Sequence, residues 1–323
     1  MNSPANFLRA IWNRFNWHVN RFLVRRLGIL NFFAATLTVQ DAFGTPGDTL
    51  LTSIVCREIK KRYRRIKINC ITPNPALLIH DPSIDMLNHS GGFFSIQFWY
   101  LDLILAKSKT TNVLQPTLEN LGIRDYHYHA RVYLTDEELE NGRKLVANLK
   151  QPIITINTMS REMVKVWPIE NWRTLIKHLG LFASVVQIGD NREPTLEGTT
   201  SFAGKLSMRE SMALLAQAKL HIGPDSFLMH AANGVDVLSI IIYGGSRPPG
   251  CFGYSENVNL YVDIECSPCW LHDSYGQKCP YAIKCMPMIT PEMVLAAVKE
   301  KLGHEKSTGQ SREQPGSRVG LRP

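Results

Sequence analysis

No stretch of this sequence reaches the 18 or so uninterrupted apolar residues that a membrane-spanning helix needs. The longest candidate, Leu27 to Val39, is broken by Asn31 and follows Arg25-Arg26. No acid occurs among residues 1–40, which carry five arginines. A secretory signal is not evident either, because the lead-in is long and no small-residue cleavage site follows it. The expectation is therefore a cytoplasmic chain. Seven cysteines make an odd set, and 323 residues bury enough core to need no disulfide framework. No internal repeat is present beyond the strand–helix alternation described below.

What is present has the composition of a globular protein, 44% apolar and 20% charged, at a length that suits two domains. The net charge of +8 is unevenly placed. Besides the arginines near the start, residues 57–67 hold seven bases against Glu58, and residues 304–323 hold four bases against two acids. The remainder is net negative. Basic patches of this kind favour lipid head groups, phosphorylated sugars or nucleic acid, although part of 57–67 also suits a solvated helix face.

Residues 4–26 read as a helix with Leu8, Ile11, Trp12, Phe15, Val19, Phe22 and Leu23 on one side and arginines and asparagines between them. Such a helix suits a membrane interface or a docking face on its own protein. A strand is expected over 33–39, and then a helix that Asp48 opens, running to about Tyr63. A strand over 66–71 follows. Further strands are expected near 84–87 and 94–98, and helices near 99–106, 115–121 and 135–149. Lys150-Gln151-Pro152 marks a boundary. Beyond it strands at 153–157 and 184–188 alternate with helices at 169–179 and 208–218, and a last helix spans 291–302. This alternation predicts an α/β protein of two doubly wound, Rossmann-like domains. The partition is a basic aromatic extension (1–32), a first domain (33–150), a second domain (151–302) and a disordered tail (303–323).

Four groups of residues could carry chemistry. In Leu220 to Gly234 a short strand, a Gly-Pro turn and a helix headed by Asp225-Ser226 place backbone amides where a phosphate could bind, with His230 one turn on. The same two residues also suit simple N-capping. Asp48, beside Gly47 at a strand–helix turn, suits a general base or another cap. Lys165, before Trp167-Pro168, suits a phosphate-reaching lysine or a surface lysine. Cys266, Cys269, Cys279 and Cys285 suit a tetrahedral Zn or Fe site. Reduced thiols or disulfide pairing are the alternatives, since the second pair lacks the two-residue spacing of a zinc ribbon.

In order along the chain, six motifs resemble the heptosyltransferases of glycosyltransferase family nine. They are Gly47-Asp48-Thr49-Leu50-Leu51-Thr52, Lys165-x-Trp167-Pro168, Ala203-Gly204-Lys205-Leu206-Ser207, and Asp225-Ser226-x3-His230-Ala231-Ala232. Cys266-Ser267-Pro268-Cys269 and Cys285-Met286 with Ile289-Thr290-Pro291-Glu292 complete them. The resemblance implies a GT-B fold, two domains facing across a cleft, with the last helix returning to the first domain. It implies an inverting transfer of heptose from ADP-heptose to a lipopolysaccharide core or another anionic cell-surface acceptor. The work would be done at the cytoplasmic face of the inner membrane, without nucleic acid and without a catalytic metal.

Residue by residue, the resemblance makes Asp48 the base and Lys165 the cation on the departing diphosphate. Asp225, Ser226 and His230 would hold that diphosphate. Thr45, Gly47 and Ser160 would stand near the phosphates, Leu206 beside the nucleobase, and Asp190 or Glu193 on the ribose. Phe227 replaces the glycine often found after Asp-Ser and narrows the space there. The first domain is short, and the N-terminal extension is not a general family feature. Alternatives are a protein acceptor of the autotransporter kind, a nucleotide-binding scaffold without transfer, and a metal-binding nucleic-acid protein.

Overall fold

The computed structural model describes residues 27–90, 94–273 and 276–303. The helix expected over 4–26 and the tail from 304 onward lie outside these residues. No helix among the described residues is long and apolar enough to cross a membrane.

In chain order the elements are α1 (Leu27–Phe32), β1 (Thr36–Asp41), α2 (Pro46–Arg62), β2 (Lys67–Ile71), β3 (Met86–Leu87), β4 (Phe94–Phe98), α3 (Leu101–Leu105), α4 (Gln115–Asn120) and α5 (Asp136–Val146). Next come β5 (Ile153–Ile156), α6 (Ile169–Leu179), β6 (Ser184–Gln187), β7 (Thr200–Ser201), α7 (Met208–Leu215), β8 (Leu220–Pro224) and α8 (Phe227–Gly234). The chain ends with β9 (Ser239–Ile242), α9 (Pro249–Phe252), β10 (Val258–Leu260) and α10 (Pro291–Gly303). Two compact units form. One holds the described residues up to Asp102 together with Val113–Tyr133, the other Leu103–Asn112 together with the residues from Leu134. The units therefore part at Tyr133–Leu134, ahead of the position near 150 read from Lys150-Gln151-Pro152. Leaving α5 in the second unit has a packing reason: Gly142 on α5 approaches α7 so closely that an added Cβ would lie 2.2 Å from the Ala213 carbonyl oxygen.

The first unit is a four-stranded parallel sheet in the order β3-β2-β1-β4. Leu37, Val39, Ile68 and Cys70 are fully or almost fully buried in its central strands. Helix α2 begins two residues earlier than expected. Pro46 supplies a preset φ at the first helical position, so Thr45 becomes the cap and Asp48 falls in the first turn. The first strand starts at Thr36 rather than 33, because α1 runs to Phe32 and leaves Phe33 exposed.

The second unit is a six-stranded parallel sheet, β10-β9-β8-β5-β6-β7. Its central strands read as unbroken apolar runs because both faces are covered; all four residues of β5 and of β9 are buried. Helix α6 buries Trp172, Leu175, Ile176 and Leu179, the spacing of one helical face. Trp172 meets Trp167 edge to face at 5.1 Å, and the Trp167 indole donates to the Ile289 carbonyl at 2.7 Å. Reciprocal capping boxes open α5 (Thr135, Glu138) and α7 (Ser207, Glu210). At α10 the Thr290 hydroxyl caps the helix by accepting from the Met293 amide at 3.4 Å.

Strand order decides where a ligand can sit. In each sheet the first strand of the unit lies inside, and later strands are added on both sides of it. The order reverses between β1 and β4 in the first sheet and between β5 and β8 in the second. Loops leaving the carboxyl ends of such neighbouring strands diverge and open a crevice.

Candidate functional site

At the reversal point of the first sheet stands Asp48, buried to 7% exposure one turn into α2. The Tyr100 hydroxyl, just past β4, donates to one carboxylate oxygen at 2.8 Å. The Thr45 hydroxyl donates to the other at 2.6 Å, while its own oxygen accepts the Asp48 amide at 3.3 Å. Two hydroxyls thus orient one carboxylate. The loop before α2 is braced by Asp41, whose oxygens accept from the Gly44 amide and the Thr49 and Thr72 hydroxyls. Gly44 itself has φ +71°, a left-handed conformation suited to glycine. Beside Asp48 the Phe43 ring stacks on Tyr100 and Trp99, with centroids 4.0 and 5.4 Å away. Tyr100 lies 52 residues from Asp48, and nothing in the local sequence signalled the pairing.

The second sheet repeats the arrangement. Lys165, on a short 3-10 turn (Met163–Lys165) after β5, places its ammonium 2.8 Å from an Asp225 carboxylate oxygen at the end of β8. Simple N-capping of α8 is the alternative reading of Asp225 and Ser226. Ser226 does occupy the cap position, but its side chain makes no capping bond, and the Asp225 carboxylate faces Lys165 instead. The first-turn amides of α8 therefore head this edge with the positive end of the helix. Phe227 is partly exposed at the first helical position. His230 is turned inward, with Nδ1 2.8 Å from the Tyr254 hydroxyl. Burial depresses its pKa to about 4, Lys165 adding to the effect and Asp225 opposing it, so the ring is neutral near pH 7. A Tyr254 hydroxyl that donates to Nδ1 leaves the proton on Nε2.

Of the two acids considered for ribose, Asp190 is exposed and paired with Arg192. Glu193 lies at the same edge, accepting the Thr158 amide at 2.8 Å, the Thr158 hydroxyl at 2.5 Å and the Met159 amide at 3.1 Å. Burial nonetheless raises its pKa, the hydrogen bonds from Thr158, Met159 and Gln187 opposing it. Ser160 is buried on the same loop, its hydroxyl accepting the Glu162 amide at 3.4 Å. Leu206 is half-buried immediately before α7. Thr45 and Gly47 belong to the first unit, with Asp48. Sequence reasoning missed Glu162, which pairs with Lys165, and Arg247 and His272, which pair with Glu162. Arg247 did carry a signal, since it follows β9 in a Gly-Gly-Ser-Arg loop at the carboxyl end of the sheet.

The four cysteines do not meet as one tetrahedral set, which corrects the expectation of a formed cluster. Among the described residues their sulfurs do not all come within reach of a single ion. They are close enough to feel one another. Burial first, and then the charges of Cys285 and Cys279, raise the Cys269 pKa; burial and then Cys279 and Cys266 raise that of Cys285. Backbone amides directed at these two sulfurs oppose that rise, Gly245 donating to Cys285 Sγ at 3.1 Å and Leu271 to Cys269, and Ile283 donates to Cys279 Sγ at 3.4 Å.

Residues 108–278, more than half of the chain, match the model of glycosyltransferase family 9 (heptosyltransferase). No curated protein matches the sequence. Among solved structures the chain is similar to a family 9 glycosyl transferase from Veillonella parvula (TM-score 0.66, 17% identity, covering 84% of this chain and 98% of that one). It is similar to the iron-containing dodecameric glycosyltransferase TibC from enterotoxigenic E. coli (0.66, 19%, 85% and 77%). It is also similar to E. coli ADP-heptose lipopolysaccharide heptosyltransferase II (0.58, 15%, 84% and 99%). At these identities the likeness concerns the fold: two parallel, Rossmann-like α/β units of the GT-B kind.

Proposed function

Because the chain belongs to glycosyltransferase family 9, the heptosyltransferase family, we propose that it transfers heptose from ADP-heptose to a lipopolysaccharide core or another anionic cell-surface acceptor. The observation that carries this reading is the meeting of Lys165 and Asp225 at 2.8 Å, beside the N-terminus of α8, where the second sheet reverses its strand order. A diphosphate there would find an ammonium group and helix amides directed at it. Neutral His230 would add an Nε2 proton, and Glu193 would accept from ribose hydroxyls.

In the proposed mechanism Asp48 takes the proton of the acceptor hydroxyl as that oxygen bonds to the anomeric carbon. The bond to the diphosphate breaks on the opposite face, which inverts the centre. Lys165 and the α8 amides meet the negative charge left on the diphosphate, so the positive charge is supplied by the protein and the chemistry is read as metal-independent. Residues 1–26 would hold the enzyme at the cytoplasmic face of the inner membrane, through arginines on anionic head groups and aromatic rings in the interface.

Backbone amides directed at cysteine sulfur support a second element, a structural Zn or Fe ion whose binding would draw Cys266, Cys269, Cys279 and Cys285 closer together than they stand in this structure. Such an ion would cross-link the segment that packs on the Gly244-Gly245 turn. The similar TibC is an iron-containing heptosyltransferase, which supports such an ion here.

Two measurements on the purified full-length protein test these readings. Mass spectrometry of products from a panel of nucleotide sugars, with lipopolysaccharide or cell-envelope protein as acceptor, is expected to show a heptose increment with ADP-heptose and release of ADP. No increment with any acceptor, alongside intact ADP binding, would point to a binding scaffold instead. Elemental analysis is expected to give about one zinc or iron per chain, lost when Cys269 and Cys285 are both replaced by Ser.

A further inference from the structure

Glu162 is only 7% exposed, yet it is ionised and shared by three cationic or hydrogen-donating side chains. One of its oxygens lies 3.5 Å from Lys165 Nζ and 3.3 Å from Arg247 Nη2; the other lies 2.7 Å from His272 Nδ1. Burial alone would raise its pKa, but the His272 hydrogen bond and the charges of Lys165, Arg247 and His272 outweigh it and hold the value at about 2. Arg247, 6% exposed, is fixed in turn: its guanidinium lies over the Trp270 ring at 5.2 Å, reaches the Leu271 carbonyl at 3.4 Å and stands 2.9 Å from His272 Nε2. With a proton on Nδ1, His272 donates to Glu162, while Arg247 Nη2 stands 2.8 Å from that Nδ1 as well, so the guanidinium faces the ring and does not meet one nitrogen end-on.

Three separate pieces of chain therefore converge on one carboxylate. Glu162 belongs to the loop after β5, Arg247 to the loop after β9, and His272 to the segment between Cys269 and Cys279. That last segment is tied down by the Cys269 amide on the Gly245 carbonyl (2.6 Å), the Trp270 amide on the Ser246 carbonyl (2.9 Å) and the Val164 amide on an Asp273 oxygen (3.0 Å). Lys165 reaches this set on a four-carbon stem, its ammonium lying between Asp225 and Glu162. Asp225 alone would draw it toward the end of β8, and Arg247 would repel it. The anchored Glu162 opposes both.

We propose that Glu162 is a positioning residue, anchored by Arg247 and His272, that holds the Lys165 ammonium at the place where the diphosphate departs. The proposal rests on the reading of Lys165 as the leaving-group cation. It separates affinity from rate. Removing the Glu162 charge takes a negative group away from an anionic ligand, so nucleotide binding should not suffer, whereas turnover should fall because Lys165 is no longer held where charge develops.

The test compares the wild-type full chain with Glu162→Gln, Glu162→Asp and Lys165→Ala. ADP affinity is read by calorimetry, kcat and KM by turnover of ADP-heptose, and folding by the melting temperature. Glu162→Gln is expected to bind ADP at least as tightly as wild type while kcat falls tenfold or more, and Glu162→Asp is expected to recover most of that loss. If ADP affinity, kcat and melting temperature all fell together in Glu162→Gln, the role would be structural, and the proposal would be lost. It would equally be lost if Glu162→Gln matched wild type in kcat within threefold while Lys165→Ala weakened ADP binding. A Lys165→Ala protein with unchanged ADP affinity and turnover would instead sink the leaving-group reading itself.

Discussion

Asp48→Asn is expected to lower sugar transfer by roughly a thousandfold, about 4 kcal/mol of barrier, while ADP affinity stays within threefold of wild type. Both halves of that expectation follow from placement. The carboxylate is buried, fixed by the Tyr100 and Thr45 hydroxyls, and stands at the strand-order reversal of the first unit. Lys165, His230, Glu193 and the α8 amides, which the proposed function sets on the nucleotide, belong to the second unit. Asparagine keeps the shape and can still accept from one hydroxyl, so the substitution removes the base without leaving a cavity. Steady-state transfer by the pure variant, with ADP titration in parallel, checks it. Residual transfer within tenfold of wild type would remove Asp48 from the role of base.

Lys165→Ala carries the second large effect. Loss of one preorganised cation at a developing oxyanion costs on the order of 3–4 kcal/mol, so kcat/KM should fall by roughly 10²–10³-fold, with a smaller loss of ADP affinity. The geometry adds a consequence. Asp225 is 5% exposed and has Lys165 at 2.8 Å; without that ammonium, a nearly buried carboxylate faces the arriving diphosphate. Lys165→Arg should restore only part of the rate, because a broad planar guanidinium cannot occupy the same point between Asp225 and Glu162 as a compact ammonium. A kcat/KM within threefold of wild type for the alanine variant, measured beside its melting temperature, would contradict the assignment.

Local signals in the sequence carried much of this architecture. Helix α6 occupies the expected span because its apolar residues follow one helical face and Pro168 precedes it. The parallel strands were visible as short unbroken apolar runs. Elements of two or three residues, β7 and β10, have too little sequence to hold a pattern, and they exist because a neighbouring strand offers its edge. The start of α2 was misplaced for a different reason: Asp48 and Thr45 are both competent caps, and Pro46 settles the choice between them.

By itself, then, the sequence determined the class of fold, the family motifs and the residues that carry charge, since each of these is written in spacing and side-chain type over a few turns of chain. Tertiary structure alone decided which of those charges meet. Tyr100 on Asp48, Asp225 rather than a helix cap on Lys165, and Arg247 with His272 on Glu162 are pairings between loops brought together by the order of strands in a sheet. A carboxylate finds its partner by position in space, and strand order is a property of the folded sheet, with no counterpart in the local pattern of residues.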